Sequence, residues 1–157
     1  MTGLSWMDHE FGSNQLGAGQ AGWDWFSLQL EDGRELMLYV LRLKNGRIEP
    51  LSSGTVVAAN GTSKHLPLSA YRIQNRGTWK SPKSGATYPS GWTIEVPGEG
   101  IRLQVEPTVP DQELVTRETH VTYWEGSVRV TGTSAGKPVR GEGYVELTGY
   151  HGRAPGI

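Results

Sequence analysis

Hydrophobic and polar residues alternate along much of this chain, and the clearest signal for paired strands lies in the stretch from Trp23 to Arg42. Two runs rich in strand-forming residues flank Asp32-Gly33, a dipeptide that accepts the positive φ angles of a tight antiparallel turn. Both faces of each run carry large apolar side chains, whereas a surface hairpin has one polar face. The pattern therefore predicts a β-hairpin covered on both sides, by a barrel interior on one and by another layer of protein on the other.

Similar signals recur along the rest of the chain. Leu4 to Phe11 alternates and predicts a first strand, and a glycine-rich loop follows from Gly12 to Gly22. Asn45-Gly46 and Asn60-Gly61 predict two more tight turns, so strands adjacent in sequence should pair in the sheet. Further strand segments are expected at Arg47 to Leu51, Gly54 to Ala59, His65 to Ile73, Trp92 to Val96, Ile101 to Val105, Val121 to Thr131 and Pro138 to Tyr150.

Between Gly77 and Gly91 the alternation breaks, because Pro82, Pro89 and several glycines leave no room for a regular element. We expect an ordered loop there, held in place by Trp79, Tyr88 and then Trp92. Asp111 to Thr119 is the one place where a helical turn is conceivable, although its β-branched residues favour an extended run.

No segment shows a convincing apolar stripe at helical spacing, so the chain is predicted to be all-β, with roughly eight to ten antiparallel strands connected mostly up and down. Closing such a sheet into a barrel removes the exposed edges that it would otherwise present. We expect one barrel domain over residues 1–150 and a flexible tail over residues 151–157.

Composition supports this fold class and excludes several functions. Glycine supplies 22 of 157 residues, about twice the usual ~7%, as in a protein with many tight turns. Fifteen Lys and Arg residues balance sixteen Asp and Glu residues without long runs of one sign, which argues against a nucleic-acid partner. The absence of cysteine excludes disulfides and thiolate chemistry.

Membrane and cofactor signals are also missing. No apolar window approaches the ~20 residues of a membrane span, and the N-terminus lacks the basic flank and apolar core of a signal peptide. His65, His120 and His151 show no metal-ligand spacing, and the sequence contains no dinucleotide or phosphate-binding fingerprint. We therefore expect no metal and no cofactor, and the cellular compartment stays open.

Several motifs, in a fixed order, resemble the C-terminal half of the lipocalin-like hydratase family. They are W-M-D-H-E-F-G from Trp6 to Gly12, G-W-D-W-F-S-L-Q-L from Gly22 to Leu30 with D-G-R-E-L-M-L-Y after it, S-P-K-S-G-A-T-Y-P, D-Q-E-L from Asp111 to Leu114, Y-W-E-G and G-Y-V-E-L-T-G-Y. That family groups AttH-like predicted secreted hydrolases with carotenoid 1,2-hydratases, also called hydroxyneurosporene synthases, and is similar to the lipocalin-like domains of some fungal Diels–Alderases. The resemblance covers nearly the whole chain, but the members of the family catalyse different reactions.

The resemblance implies a lipocalin-like, calycin-type antiparallel β-barrel. It also implies a partner, because family members usually carry two such barrels, with ligand pockets inside a barrel or between the two, and this chain matches the second. The chain is then a single-barrel relative, one half of a longer protein, or a domain that pairs with another copy. Family members are often secreted or membrane-associated, although the chain as given shows no secretion signal.

Asp8, His9 and Glu10 are the candidate catalytic residues. A carboxyl group and an imidazole act as general acid and base when a dry cavity brings their pKa values near neutrality. They could then protonate an alkene and activate water. On a regular strand, however, Asp8 and Glu10 share a face and His9 points the other way, so the three address one pocket only if the strand bulges.

Aromatic residues are abundant enough to line a pocket for a flat or polyene-like hydrophobic ligand, and their faces can stabilise a carbocation. The same residues would serve equally well to fill the core of a barrel. The candidate aromatic ligand-binding residues are Trp6, Trp23, Trp25, Tyr39, Tyr123, Trp124 and Tyr144.

Polar candidates accompany these rings. Gln29, Glu125 and Glu146 are predicted to contact the ligand, and together with Glu142 and Arg42 they could form a polar network inside the barrel. Buried carboxylates need partners or protons, so this network would be either a site or a structural ion cluster.

Three functions fit these expectations. The first is a hydratase or related lyase that donates a proton from Asp8 or Glu10 to a double bond and then adds water. The second is a non-catalytic carrier that holds a small hydrophobic ligand with the same aromatic residues. The third is an interaction module whose two-sided hairpin packs against a second lipocalin-like domain or a second copy of the chain.

Overall fold

A computed structural model of the chain describes residues 5–8, 16–116 and 121–151. Within these residues the chain is built from β-strands and two 3-10 turns. The strands are β1 (Gln20–Leu30), β2 (Glu35–Leu43), β3 (Ser53–Val57), β4 (Ser63–Pro67), β5 (Arg72–Asn75), β6 (Thr78–Lys80), β7 (Thr87–Pro89), β8 (Trp92–Val96), β9 (Ile101–Pro107), β10 (Glu113–Val115), β11 (Thr122–Ser134) and β12 (Lys137–Thr148). The 3-10 turns are Leu68–Ala70 and Pro97–Glu99, and no helix in the described part is long enough to cross a membrane.

The hairpin predicted around Asp32-Gly33 is formed by β1 and β2. Gly33 has a φ of +81°, a conformation that favours glycine because it has no Cβ. The Asp32 carboxylate accepts a hydrogen bond from the backbone N–H of Arg34 at 3.1 Å, which closes the turn locally. The turn fixes the register of the two strands, so that Trp25 lies opposite Tyr39.

The strands form one antiparallel sheet in the order β4-β3-β2-β1-β12-β11-β9-β8-β5, with β10 also paired to β11 and a separate small sheet of β6 and β7. The two edge strands, β4 and β5, follow each other in the chain and are separated only by the turn Leu68–Ala70 and Tyr71. The sheet therefore curls back on itself, and this short connection joins its two edge strands. The Tyr71 hydroxyl donates to the backbone oxygens of Tyr39 and Ser53, which ties this connection to β2 and β3. The lipocalin-like antiparallel fold is confirmed.

The concave side of the curled sheet is filled by apolar side chains. Trp92 is fully buried at its centre and packs edge-on against Phe26, with ring centroids 5.6 Å apart, and against Trp124 at 6.3 Å. Leu28, Leu38 and many other aliphatic residues complete this core. We call the side of the sheet that packs on this core the inner face and the opposite side the outer face.

Two predicted strands are wrong in the part of the chain that the structure describes. The described part of the first, Ser5 to Asp8, is not a strand, and instead Trp6 packs on a residue of β1, a contact that an extended segment makes without sheet pairing. His9, Glu10 and Phe11 lie outside the described residues. The segment Arg47 to Leu51 forms only one bridge, between Arg42 and Ile48, because Pro50 has no N–H for a ladder.

Two further predictions need a smaller correction. The loop between Gly77 and Gly91 contains strands β6 and β7 after all, and Trp79 stacks on Tyr88 between them, with centroids 6.1 Å apart. The Ser81 hydroxyl accepts the backbone N–H groups of the following turn, which lets a segment with prolines form a hairpin. The strand expected from His65 to Ile73 is split into β4 and β5 by the 3-10 turn. The tail, residues 152–157, lies outside the described part.

Candidate functional site

The outer face of β2, β1, β12 and β11 carries an ordered array of aromatic and acidic side chains. Trp25 lies between Tyr39 of β2 and Glu146 of β12, and Glu146 lies opposite Glu125 of β11. These four residues form one row across four strands. Because alternate residues of a strand point to the same face, the rows above and below belong to the same surface, which we call the outer aromatic surface.

Most of the predicted ligand-binding residues lie on this surface. It carries Trp23, Trp25, Gln29, Tyr39, Tyr123, Glu125, Tyr144 and Glu146. The polar network expected inside the barrel is wrong in its location: Glu125, Glu142 and Glu146 are on the outer face, because Val145 and Leu147 take the inner positions of β12. Whether these residues contact a ligand stays a prediction.

Trp124, which was also predicted to bind the ligand, lies on the inner face instead. Its side chain is 2% exposed on the inner face, where it packs on Trp92. Its indole N–H donates to the backbone oxygen of Pro110 at 2.8 Å, so its polar atom is already satisfied. Trp124 is a core residue, separated from the other candidates by the sheet itself.

The N-terminal segment adds a carboxylate to the outer aromatic surface. Trp6 packs edge-to-face on Trp25, with ring centroids 5.9 Å apart and planes at 75°. The Trp6 indole N–H donates to the Asp8 carboxylate at 3.0 Å, which holds this exposed carboxylate next to the two rings. His9 and Glu10, the other catalytic candidates, are outside the described residues.

Hydrogen bonds and charges on this surface orient the rings. The indole N–H of Trp23 donates to Glu146 at 2.9 Å. Burial, followed by the nearby carboxylates of Glu125 and Glu146, raises the pKa of Tyr123 above its ordinary value. Tyr123 therefore keeps its proton at neutral pH and remains a hydrogen-bond donor beside two acids.

An open depression of about 750 Å³ adjoins the aromatic rows on the outer face. Gln29 and the charged residues Arg129, Arg140 and Glu142 line it. Its volume lies in the range of small-molecule sites, and it offers both donors and acceptors. The outer face thus changes from aromatic to polar along the strands.

The sequence did not reveal a second group of polar residues, which lies on the inner face near the start of β1. The Arg42 Nε donates to Asp24 at 2.9 Å, and the Tyr150 hydroxyl lies 3.0 Å from both oxygens of that carboxylate. Burial, only partly offset by Arg42 and Tyr150, raises the pKa of Asp24. A usable signal existed, because Asp24 and Arg42 fall on the same alternation as the core residues of their strands, and the hairpin register brings them together.

A buried carboxylate, Glu113, lies next to this group. It is 7% exposed and accepts hydrogen bonds from the hydroxyls of Ser81, Ser84 and Tyr88. Burial, followed by Glu113 itself, raises the pKa of Tyr88, and the Tyr88 ring lies 5.4 Å from that of Tyr150. These contacts hold the β6–β7 hairpin against the end of the barrel. Within the described residues, no three His, Asp or Glu side chains are grouped so as to hold a metal ion.

Comparison with known proteins gives consistent results. The family model described as AttH-like matches residues 1–150. Kievitone hydratase from Fusarium solani subsp. phaseoli is 29% identical over 146 residues, which are 92% of this chain and 40% of that protein.

Two solved structures share the fold. One is a protein assigned as AttH from Nitrosomonas europaea, with a TM-score of 0.76 and 33% identity over 88% of this chain and 41% of that chain. The other is kievitone hydratase from Nectria haematococca, with a TM-score of 0.67 and 25% identity over 82% of this chain and 39% of that chain. The chain thus spans about two fifths of the length of each relative. Because the family model matches almost the whole chain, this protein belongs to the AttH-like family.

Proposed function

We propose that this chain is the ligand-binding barrel of a hydratase-type protein, and that it adds water to a carbon–carbon double bond of a small hydrophobic molecule or, in the reverse direction, removes water from the alcohol to form that bond. The observation that carries the proposal is the contact of Trp6 and its hydrogen-bonded Asp8 with Trp25, which puts an acid beside an aromatic surface. Similarity to kievitone hydratase supports the reaction class.

The outer aromatic surface suits an amphiphilic ligand. Trp23, Trp25 and Tyr144 offer ring faces and edges for the apolar part of a flat or polyene-like molecule. The depression around Gln29 and Arg129 offers hydrogen-bond partners for hydroxyl groups at its other end. Successive outer positions on a strand are about 7 Å apart, so a ligand of drug size spans both regions.

The chemistry follows from the acid and the rings. In hydration, Asp8 gives its proton to one alkene carbon, and the positive charge that develops on the other carbon is stabilised by the tryptophan faces and the surface carboxylates. Water then forms a bond to that carbon and loses a proton to the catalytic base, for which His9 and Glu10 are the proposed residues. Asp8 is exposed in the free chain, and a ligand or second domain covering it would exclude bulk water from the reacting atoms.

A second candidate function is an interaction or carrier domain without catalysis. Tyr144 is 48% exposed on the outer face, and the chain spans only about two fifths of its relatives. In this proposal the outer aromatic surface packs against a second lipocalin-like domain or a second copy of the chain, and the carboxylates hydrogen-bond across that interface. Sedimentation velocity of the purified chain distinguishes a second copy from a second domain. A second copy on this surface gives a concentration-dependent dimer that Tyr144→Arg abolishes.

The test of the catalytic proposal uses kievitone, the compound in the relatives' name, as the probe. We expect the wild-type chain to quench its tryptophan fluorescence on binding kievitone and to give a product heavier by one water, carrying ¹⁸O when the reaction is run in labelled water. Asp8→Asn should retain binding and lose about 10²- to 10⁴-fold in rate. Asp111→Asn, which removes an exposed carboxylate paired with Lys83, is the matched control and should behave as the wild type.

The possible outcomes distinguish the two candidate functions. Binding without any product would support the carrier over the hydratase. Equal rates for Asp8→Asn and the wild type would remove Asp8 from the mechanism. Neither binding nor turnover, with the dimer present, would leave the interaction module.

A further inference from the structure

We infer that Asp24 and Arg42, on the inner face, are positioning residues for Trp23 and Glu146 on the outer face. They act through the backbone and side chain of Thr148, at the end of β12. The inference rests on the proposed function only in taking the outer aromatic surface as the ligand surface. The contacts that form this connection do not depend on the identity of the ligand.

Arg42 is the inner end of the connection, and it makes three different contacts. Its Nε donates to Asp24 at 2.9 Å, a second guanidinium nitrogen donates to the backbone oxygen of Thr148, and its carbon lies 3.9 Å from the centre of the Tyr150 ring. A guanidinium can make these contacts at once because its donors are rigid and planar. Arg42 therefore fixes the end of β12 relative to β1 and β2.

Thr148 passes this constraint to the outer face. Its side chain is 0% exposed, and its hydroxyl accepts the backbone N–H of Trp23 at 2.9 Å. Thr148 and Arg42 both pack closely against Gly22. A Cβ added at Gly22 would lie 2.3 Å from the backbone oxygen of Thr148 and 2.8 Å from the Arg42 guanidinium. A displacement of Arg42 must therefore move Thr148, and with it the backbone of Trp23.

Trp23 and Glu146 are the outer end of the connection. The Trp23 indole N–H donates to Glu146 at 2.9 Å, and Glu146 lies two residues before Thr148 on the same face of β12. Both partners of this hydrogen bond thus depend on the position of the end of β12. Their geometry decides which way the Trp23 ring faces and where the Glu146 charge lies on the ligand surface.

A purely structural role is a weak explanation for this partly buried pair. Replacing a buried ion pair with apolar residues of similar volume is often neutral or even stabilising. The Asp24–Arg42 pair lies on the same alternation as apolar core residues of β1 and β2, where aliphatic side chains would fit the pattern. Its charged groups instead fix directions, through hydrogen bonds of defined geometry, that apolar contacts would leave free.

The experiment follows the Trp23 indole N–H by ¹⁵N NMR, with the resonance assigned from Trp23→Phe. In Asp24→Asn we expect that resonance to move and its proton to exchange with solvent about tenfold faster, as expected for a weakened hydrogen bond to a charged group. Thr148→Val, which keeps the ion pair but removes the hydroxyl, should give the same change. Kievitone affinity should fall in both variants.

Asp32→Asn is the matched control, because Asp32 also pairs with an arginine, Arg34, at the other end of the same hairpin. It should leave the Trp23 resonance unchanged. If Thr148→Val and a folded Asp24→Asn both retain the wild-type Trp23 resonance and exchange rate, the inference is wrong. The NMR measurement needs no ligand, so its result is independent of the hydratase proposal. If the Trp23 resonance changes in the variants but the wild type does not bind kievitone, only the hydratase proposal is contradicted.

Discussion

The two faces of the β1–β2 hairpin share one sequence but have different roles. Phe26 and Leu28 point inward, are fully buried and pack around Trp92. Trp23 and Trp25 point outward and are only partly buried. Trp23 donates a hydrogen bond to Glu146, and Trp25 contacts the ring of Trp6. The difference teaches that large aromatic residues in a small barrel do not by themselves indicate an interior pocket, because the inner positions are already filled.

The largest effect should distinguish the two faces at neighbouring positions. Phe26→Ala leaves a cavity in the core and is expected to reduce the free energy of unfolding by about 3 to 5 kcal/mol. Trp25→Ala loses mainly its edge-to-face contact with Trp6, worth about 1 kcal/mol, but it should abolish most of the kievitone affinity. Urea denaturation and fluorescence-based binding measure the two quantities.

The comparison would fail if the effects were reversed. A Trp25→Ala variant that is as unstable as Phe26→Ala would make the outer ring a core residue. A Phe26→Ala variant that folds normally but loses the ligand would move the ligand to the inner face.

A smaller effect concerns pH and the two aspartate–arginine pairs of the hairpin. Burial raises the pKa of Asp24 above 3.8, so the folded wild type takes up a proton before the unfolded chain does. Its stability relative to Asp24→Asn should therefore rise as the pH falls from about 7 through the folded-state pKa to 3.8. Denaturation of both proteins across this interval measures the change.

Asp32 should behave in the opposite way. Although partial burial acts to raise its pKa, hydrogen bonds from Ser134 and Arg34 lower it below 3.8 overall. The stability that Asp32 contributes relative to Asp32→Asn is then present above pH 3.8 and is lost as the pH falls below that value through the folded-state pKa. The same trend for both aspartates would contradict the difference between the two ends of the hairpin.

The turns and strand alternation were predictable from sequence because they depend on neighbouring residues. Asp32-Gly33, Asn45-Gly46 and Asn60-Gly61 each have the glycine in the positive φ region, and the pairings on either side of Asp32 and Asn60 follow from them. The side of the sheet on which Glu125, Glu142 and Glu146 lie was predicted wrongly. Alternation alone does not say which face of a strand is buried when both faces carry large residues.

One signal could have identified the inner face. Glycines lie on the inner face where neighbouring strands approach closely. A Cβ added at Gly143 would lie 2.1 Å from the backbone oxygen of Ser27, and one added at Gly132 would lie 2.1 Å from the backbone oxygen of Arg102. Gly54 is similar, at 2.4 Å from the Met37 oxygen. Glycine inside a strand marks close backbone approach, so the glycine alternation of β12 already indicated that Glu142, Tyr144 and Glu146 point outward.

Sequence reasoning also selected most of the outer aromatic surface, because those residues share an alternation. It missed the Asp24–Arg42 pair, since the two residues are 18 positions apart and their contact depends on the register that the Asp32-Gly33 turn sets. Glu113 was missed for a related reason. Its hydroxyl partners come from the β6–β7 hairpin, a segment whose prolines led us to predict a loop.

The most direct test of the outer surface as the ligand site is a titration of the ¹⁵N-labelled chain with kievitone, following the indole N–H resonances. We predict that Trp6, Trp23 and Trp25 shift with one common affinity, while Trp92 and Trp124 on the inner face stay fixed. Shifts confined to Trp92 and Trp124 would place the ligand inside the barrel and contradict the account.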